Sequence, residues 1–545
     1  MCVSSNLSKR AYLDVRKTAR EKAKTEIFPS YAKVLLARKE CYPSEDSMVF
    51  TDMSAKLSLQ GLLDHTARRL IADLSVNAHE AHLHYKWGFD GATSQSVYKQ
   101  AIREEDESAE ESLFCTTLVP LQLTADGQPV WTNPAPSSTR LCRPIQIQYA
   151  RETAALCREE RDRVQEEISR LQSTAAVSAT GAEVAVTHSM QLTMIDGKAA
   201  NAVSGTKSSM VCSLCGAKPR EMNDISRIIT RPVQGDLQLG LSTMHAWIRA
   251  FECILHISYR LEVKVWAVTG DARKAAVRQR KKAVQERFRR QLGLVVDQPL
   301  AGGSGTSNDG NTARRAFADP EKFSAVTEVD FLLIQRLATI LTALQTTEAV
   351  SSERYAEYAL ETARIFVDRY PWFYMPASLH RLLIHGSDVI SSLLLPIGMY
   401  SEEVQESRNK HNRQFRLHHA RKTSRVDTIT DQFHYLLVTS DPKISKIIVE
   451  KEKKGQRRRR KTAGKHLLDI SHLVQQPDIN NINDNDDTDD SESDAGSDYE
   501  EEEPACVPAD LNNNLLQSAY VVAEEPPRDE LDGDITLPDY YGAEQ

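Results

Sequence analysis

AHLHYKWGFDG, residues 81–91, decides how the rest of the chain is read. His82, His84 and Lys86 alternate with Leu83, Tyr85 and Trp87, the period-two signature of a β-strand, while Gly88 and Gly91 bracket Asp90. A strand is expected to end near Asp90, leaving its carboxylate on a rigidly anchored, accessible strand end.

Two further strands are expected in LFCTTLVPLQLT (113–124) and PVWTNP (129–134), joined by the turn ADGQ. A long charged helix follows in ARETAALCREERDRVQEEISRLQ (150–172), then a strand in EVAVTHSMQLTMI (183–195) that runs into Asp196-Gly197. Strands, helix, strand, with an acid closing the first and the last, predict a mixed α/β sheet of the ribonuclease H (retroviral integrase-like) kind, although other α/β folds share that order. Upstream, residues 7–75 read as mostly helical, with Leu59, Leu62, Leu63, Ala67, Leu70 and Ile71 at helical spacing. From about 205 to 400 the pattern is again largely helical; it includes the basic run ARKAAVRQRKKAVQERFRRQ (272–291) and a glycine-rich loop, AGGSGTSNDGNTARR (301–315). A helix is expected to start at Ser401, with Glu402 and Glu403 at the positive end of its dipole. The expected organisation is a helical region to residue 80, a core from 81 to 204, a helical insertion from 205 to 395, a core helix and C-terminal helices from 396 to 448, a basic linker to 476, and a tail from 477 that lacks the apolar content to order.

The net charge of -8 conceals two opposite halves. From Pro477 onward there are 22 acidic residues and one base, Arg528, a net -21, so the remaining chain carries +13. A basic body with an acidic tail suits a protein that handles nucleic acid; an evenly solvated surface is the plainer reading. The 545 residues contain no apolar run long enough to span a membrane and no secretory signal, so no membrane partner is expected. Nine scattered cysteines argue against a disulfide framework and for a reducing compartment.

Asp90 and Asp196, each at the end of a strand beside a glycine, suit phosphodiester chemistry, in which a few carboxylates hold a pair of divalent metals. Turn aspartates without function are the rival reading. Glu406, Lys410 and Arg413 share a helix face, as a metal ligand beside phosphate-facing bases or as a salt-bridged surface. Cys212 and Cys215 form a CxxC, half of a zinc site or a redox pair. His380 and His385 are the candidates for the other half; five residues apart they point about 140° from each other on a regular helix, and could converge only if it breaks near Gly386. Asn311 and Arg314 stand in the glycine-rich loop, a segment that orders on DNA or an idle insertion. The bases from Arg457 to Lys461 fit a nuclear localisation signal or a nonspecific DNA contact.

Nine blocks then occur in one order: PSYAKVLLARKECYPSE, LQGLLDHTARRL, YKWGFDGATSQSVYKQ, WTNPAPSSTRLCRPI, LTMIDGKAANAV, MVCSLCGAKPREMN, GTSNDGNTARRAF, LHRLLIHG and LPIGMYSEEVQESRNK. Together they resemble the Transib transposases and, more distantly, the catalytic subunit of the V(D)J recombinase, over about residues 7 to 445. The resemblance implies a DDE-type DNA recombinase with Asp90, Asp196 and Glu406 as catalytic ligands of two Mg²⁺ or Mn²⁺. It also implies a structural Zn²⁺ on Cys212, Cys215, His380 and His385, and DNA contacts from Asn311, Arg314, Arg408, Asn409 and Lys410. Double-stranded DNA, a homodimer and a nuclear location go with it. A noncatalytic DNA-binding protein that kept the fold is the rival. In that family a helical dimerising, DNA-binding segment precedes the first block. Here the resemblance opens near Leu7, so weakened terminal-repeat recognition and pairing are expected unless more chain precedes it.

Overall fold

The computed structural model describes residues 7–93, 112–299, 306–456 and 468–475, with side chains to residue 451 in the third stretch. Its centre is one mixed sheet of eight strands: β1 (Met48–Phe50), β2 (Ser54–Leu57), β3 (Glu80–Ala92), β4 (Leu113–Ala125), β5 (Gln128–Thr132), β6 (Arg143–Gln148), β7 (Thr174–Val177) and β8 (Glu183–Leu192). They lie in the order β1-β2-β6-β4-β3-β8-β7, with β5 added beside β4. β3, β4 and β6 pair antiparallel, whereas β8 runs parallel to β3 with Trp87 opposite Leu192.

β3 and β4 are buried on both faces along most of their length, which is why β4 reads as a nearly continuous apolar run, while in β3 the alternating His84 and Lys86 are buried as well. Asp126 and Gly127, both at positive φ, form the hairpin between β4 and β5. Pro120, which has no N–H to donate, sits inside β4 opposite Tyr85, where the β3–β4 register shifts. One side of the sheet packs on the helices Leu59–Ile71, Ala154–Ser169 and Arg425–Thr439 through a core that includes Leu62, Leu83, Ile147, Val186 and Phe433. A smaller core of Val119, Leu121, Met194, Met399, Tyr400 and Val404 joins the sheet to the segment ahead of the helix Glu403–His418.

Residues 212–397 build a separate helical core around Phe251, Phe288, Phe317 and Phe323, whose rings meet edge-on or tilted. The expectation of a mixed α/β sheet accompanied by many helices is therefore met. The region before residue 80 is mostly helical, and its two short strands, β1 and β2, extend the sheet beyond β6. The expected linker is corrected. The linker expected from 449 to 476 begins inside the helix Pro442–Gln456. Its end is anchored as well, with Leu473 buried in the insertion core and the Ser351 amide donating to the Leu473 carbonyl at 2.9 Å. The Arg457–Lys461 run and the acidic tail lie outside the described residues. Among those described, no helix is long and apolar enough to cross a membrane.

Candidate functional site

β3 and β8 are parallel, so their C-terminal ends reach the same edge of the sheet. Beyond Leu192 the chain crosses over β3, and the amides of Thr193 and Met194 both donate to the Trp87 carbonyl at 3.1 Å. A Cβ on Gly88 would lie 2.0 Å from the Met194 carbonyl oxygen, so only glycine permits this crossing. The crossing delivers Asp196 to the N-cap of the helix Gly197–Ser204, where its Oδ1 accepts from the Ala199 amide at 2.7 Å. On the other side of Asp90, a Cβ on Gly91 would lie 2.6 Å from the Glu152 Cβ. The Gly91 amide donates to Glu152 Oε2 at 3.2 Å, and Glu152 Oε1 pairs with Lys198 at 3.0 Å. The two glycines thus let two separate segments close on Asp90, each bringing a carboxylate.

The charges register that crowding. Burial first, then the Asp196 and Glu152 carboxylates, push Asp90 up to about 7, against the pull of His245. His245 opens the helix Thr243–Arg260 and pairs with Glu402 at 3.1 Å. Burial works to lower the His245 pKa, but the Glu402 hydrogen bond and charge, followed by Asp196, outweigh it and raise it.

Glu406 lies on the helix Glu403–His418, which touches the cluster through Asn409: its Nδ2 donates to Asp90 Oδ2 at 2.7 Å. Glu406 is three residues earlier on the same face, with its half-exposed carboxylate paired to Lys410 at 3.1 Å. Asp90, Asp196 and Glu152 therefore gather, and Glu406 is carried on a helix docked to Asp90.

The start of that helix is strapped residue by residue. The Tyr400 hydroxyl meets His84 Nε2 at 2.7 Å, and the buried Lys86 Nζ donates to the Ser401 carbonyl at 2.7 Å. Burial lowers Lys86 to about 7. Glu402 Oε1 accepts from the Met244 amide at 3.0 Å, the His245 amide at 3.1 Å and the Ser242 hydroxyl. Glu403 pairs with Arg314 at 2.9 Å. The helix begins one residue later than expected, with Glu402 rather than Ser401 at its cap.

The five expected DNA contacts divide. Lys410 and Asn311 are exposed. Arg314 is not in a loop: the helix Gly310–Phe317 contains it, and Glu403 holds its guanidinium. Asn409 is spent on Asp90. Arg408 is 1% exposed and donates to the carbonyls of Thr139 and Cys142 and to the Thr439 hydroxyl. This corrects the expectation of a phosphate contact at Arg408, which instead staples its helix to the loop before β6.

In the insertion, Cys212, Cys215, His380 and His385 bring one ligand atom each to within 4.8 Å of one another, all four buried. The helix Ala377–Ile384 ends at His385, whose φ of -108° and ψ of 0° turn the chain into the next helix at Gly386. That break brings the two imidazoles to 5.1 Å between centroids. Cys215 Sγ and His380 Nε2 stand 3.4 Å apart. The hydrogen bond from Cys215, then the two histidines, drive Cys212 toward the thiolate, the form that binds metal. His385 Nε2 is buried without a hydrogen-bond partner while its Nδ1 faces Asp388 at 3.6 Å. A metal on Nε2 would satisfy that orphan, with the carboxylate orienting the ring from behind.

Glu152 escaped the sequence reading because it lies in a loop and closes no strand; its one local signal is its place just before Thr153, the N-cap of the helix Ala154–Ser169. His245 and Glu402 escaped it too, since only the fold pairs them. No family model matches the chain, and no curated protein matches it.

Proposed function

We propose that this chain is a metal-dependent DNA nuclease and strand transferase, a cut-and-paste transposase of the Transib kind with a ribonuclease H-like core. The observation that carries the reading is the Asp90 cluster: carboxylates from separate elements crowd at one end of a parallel strand pair, with the helix of Glu406 docked on the first of them. Partly buried carboxylates crowded in this way are costly unless a cation neutralises them. The antiparallel β3-β4-β6 meander with β8 parallel beside β3 supports the fold assignment.

Asp90, Asp196, Glu152 and Glu406 are the residues to hold two Mg²⁺ or Mn²⁺. When bound, such ions activate water and stabilise charge at phosphorus. Asn409 fixes the Asp90 rotamer, Gly91 and Lys198 fix Glu152, and the helix N-terminus fixes Asp196. The chemistry implied by the resemblance is a nick beside a terminal inverted repeat, attack of the freed 3′-hydroxyl on the opposite strand to leave a flanking hairpin, and attack of the excised end on target DNA. Each is an in-line displacement at phosphorus, so the chain needs no covalent nucleophile of its own. Zinc on the Cys₂His₂ cluster is structural, since all four positions are protein ligands and buried. Two transposon ends call for a homodimer, and a DNA substrate for a nuclear location.

The test is nicking of a duplex bearing the inverted repeat that borders the coding sequence. Nicking is expected to need Mg²⁺ or Mn²⁺ and to fall at least about 1,000-fold in Asp90→Asn and in Asp196→Asn, the scale of several kcal/mol of metal stabilisation. Undiminished nicking by Asp90→Asn overturns the assignment.

A further inference from the structure

The helix Asp271–Arg287 and the turn after it carry more bases than their contacts use. Arg280 pairs with Glu262 and Glu328, Lys281 with Asp297, Arg287 with Glu328, and Arg290 with Glu286. Val284 and Phe288 are buried and fix the inward side. Lys274, Arg278 and Lys282 are exposed, recur every fourth residue and have no ion pair among the described residues; Arg289 continues their stripe. Repeats of four residues place these charges about 6 Å apart within an arc of roughly 80°. Asp271, at the N-terminal end of the same sector, forms no ion pair with them and sits where the helix dipole favours an acid.

The position of the stripe is equally defined. Arg280 Nε donates to the Ser258 carbonyl at 2.6 Å, and the Phe288 and Phe251 rings meet at 5.9 Å. The helix therefore runs antiparallel to Thr243–Arg260, whose first turn grips Glu402 beside the carboxylates. Ser258 is fourteen residues from Met244, about 21 Å along a helix, so the stripe begins on the order of 20 Å from the acidic cluster.

We infer that the row Lys274, Arg278, Lys282 is a second DNA-docking surface, which grips the phosphate backbone of duplex DNA about six base pairs from the carboxylates, at about 3.4 Å per base pair. It rests on the proposed nuclease reading for the identity of the polyanion. Its chemistry is that of backbone contact without sequence readout: long, flexible cations in a row, none of them in an ion pair among the described residues because the next acid along, Glu286, is held by Arg290. The paired bases on the neighbouring sector serve the fold, and the unpaired ones have no structural duty.

The test compares the full chain with Lys274→Gln/Arg278→Gln/Lys282→Gln for binding to a duplex of about 30 base pairs across a salt series. Three lost phosphate contacts are expected to lower the slope of log K against log salt by about 2.7, with the thermal midpoint unchanged because none of the three is paired. A control neutralises three exposed, scattered bases, Lys22, Arg220 and Arg364, and is expected to change the slope by less than about one. An unchanged slope in the row variant, or an equal fall in the control, overturns the inference. If the slope falls as expected while the unsubstituted protein never nicks DNA with any divalent cation, the docking surface stands and the nuclease reading fails.

Discussion

The Cys212–His385 cluster and the carboxylates around Asp90 both gather ligand atoms from distant parts of the chain, yet they are built in opposite ways. The first lies in the helical region of residues 212–397, with four buried side chains converging and each offering one ligand atom. The second lies at a sheet edge, where Glu406 is half-exposed and each acid is steadied by a neighbouring amide or cation. A closed site suits a metal that holds structure, and an open one suits a metal that must meet substrate. The difference follows from where each set lies: the cysteines in a loop packed on the helices that carry the histidines, and the aspartates beside the end of a parallel strand pair.

The largest expected effect breaks the comparison at the closed site. Cys215→Ser, or a strong chelator, is expected to unfold the insertion, because a structural zinc contributes on the order of 10 kcal/mol. Thermal melting of Asp90→Asn, by contrast, should show an intact fold. Equal melting of Cys215→Ser and the unsubstituted protein would mean the cluster holds nothing.

Next in size is the strap that joins the two regions. Glu402→Gln keeps the shape but weakens four hydrogen bonds, at a cost of about 1–3 kcal/mol. Nicking should fall about tenfold, since the helix carrying Glu406 loses its tie to Thr243–Arg260. Full activity in this variant would show that the insertion does not position that helix.

The smallest effect concerns pH. Asp90 stands at about 7 in the fold against an ordinary 3.8, so its contribution is fully present below about pH 4 and is lost as pH rises through 7. His245 is also raised and acts in the same direction. Metal-free protein is therefore expected to melt lower at pH 8 than at pH 5. Asp90→Asn should melt higher than the unsubstituted chain at pH 8 without metal, and added Mg²⁺ should close that gap. A lower melting point for metal-free Asp90→Asn at pH 8 would remove the charge-crowding argument.

Local pattern made the long elements legible. β3, β4 and β8 are long, and their apolar content or alternation announces strands; the helices Leu59–Ile71 and Ala154–Ser169 follow the 3.6-residue period. β1, β2 and β7 have three or four residues each, too few to show a period, and β6 is split from its neighbours by no turn signal strong enough to mark it. The resemblance gave Arg408 a DNA contact, and nothing local distinguishes a guanidinium bound for phosphate from one buried against carbonyls. Only the fold supplies that distinction, as it does for Glu152.

The sequence by itself determined the alternation of β3 that ends in Asp90-Gly91, the helical spacing of Leu59–Ile71, and the pair of motifs that offer cysteine and histidine. Each is a matter of neighbours a few residues apart. Tertiary structure alone decided that Asp196 crosses to Asp90, that Glu152 closes the other side, and that His380 and His385 turn toward Cys212 and Cys215. Those meetings span tens to hundreds of residues and depend on close approach at Gly88 and Gly91 and on the helix break at His385. Such contacts are fixed by packing between elements, which no local spacing encodes.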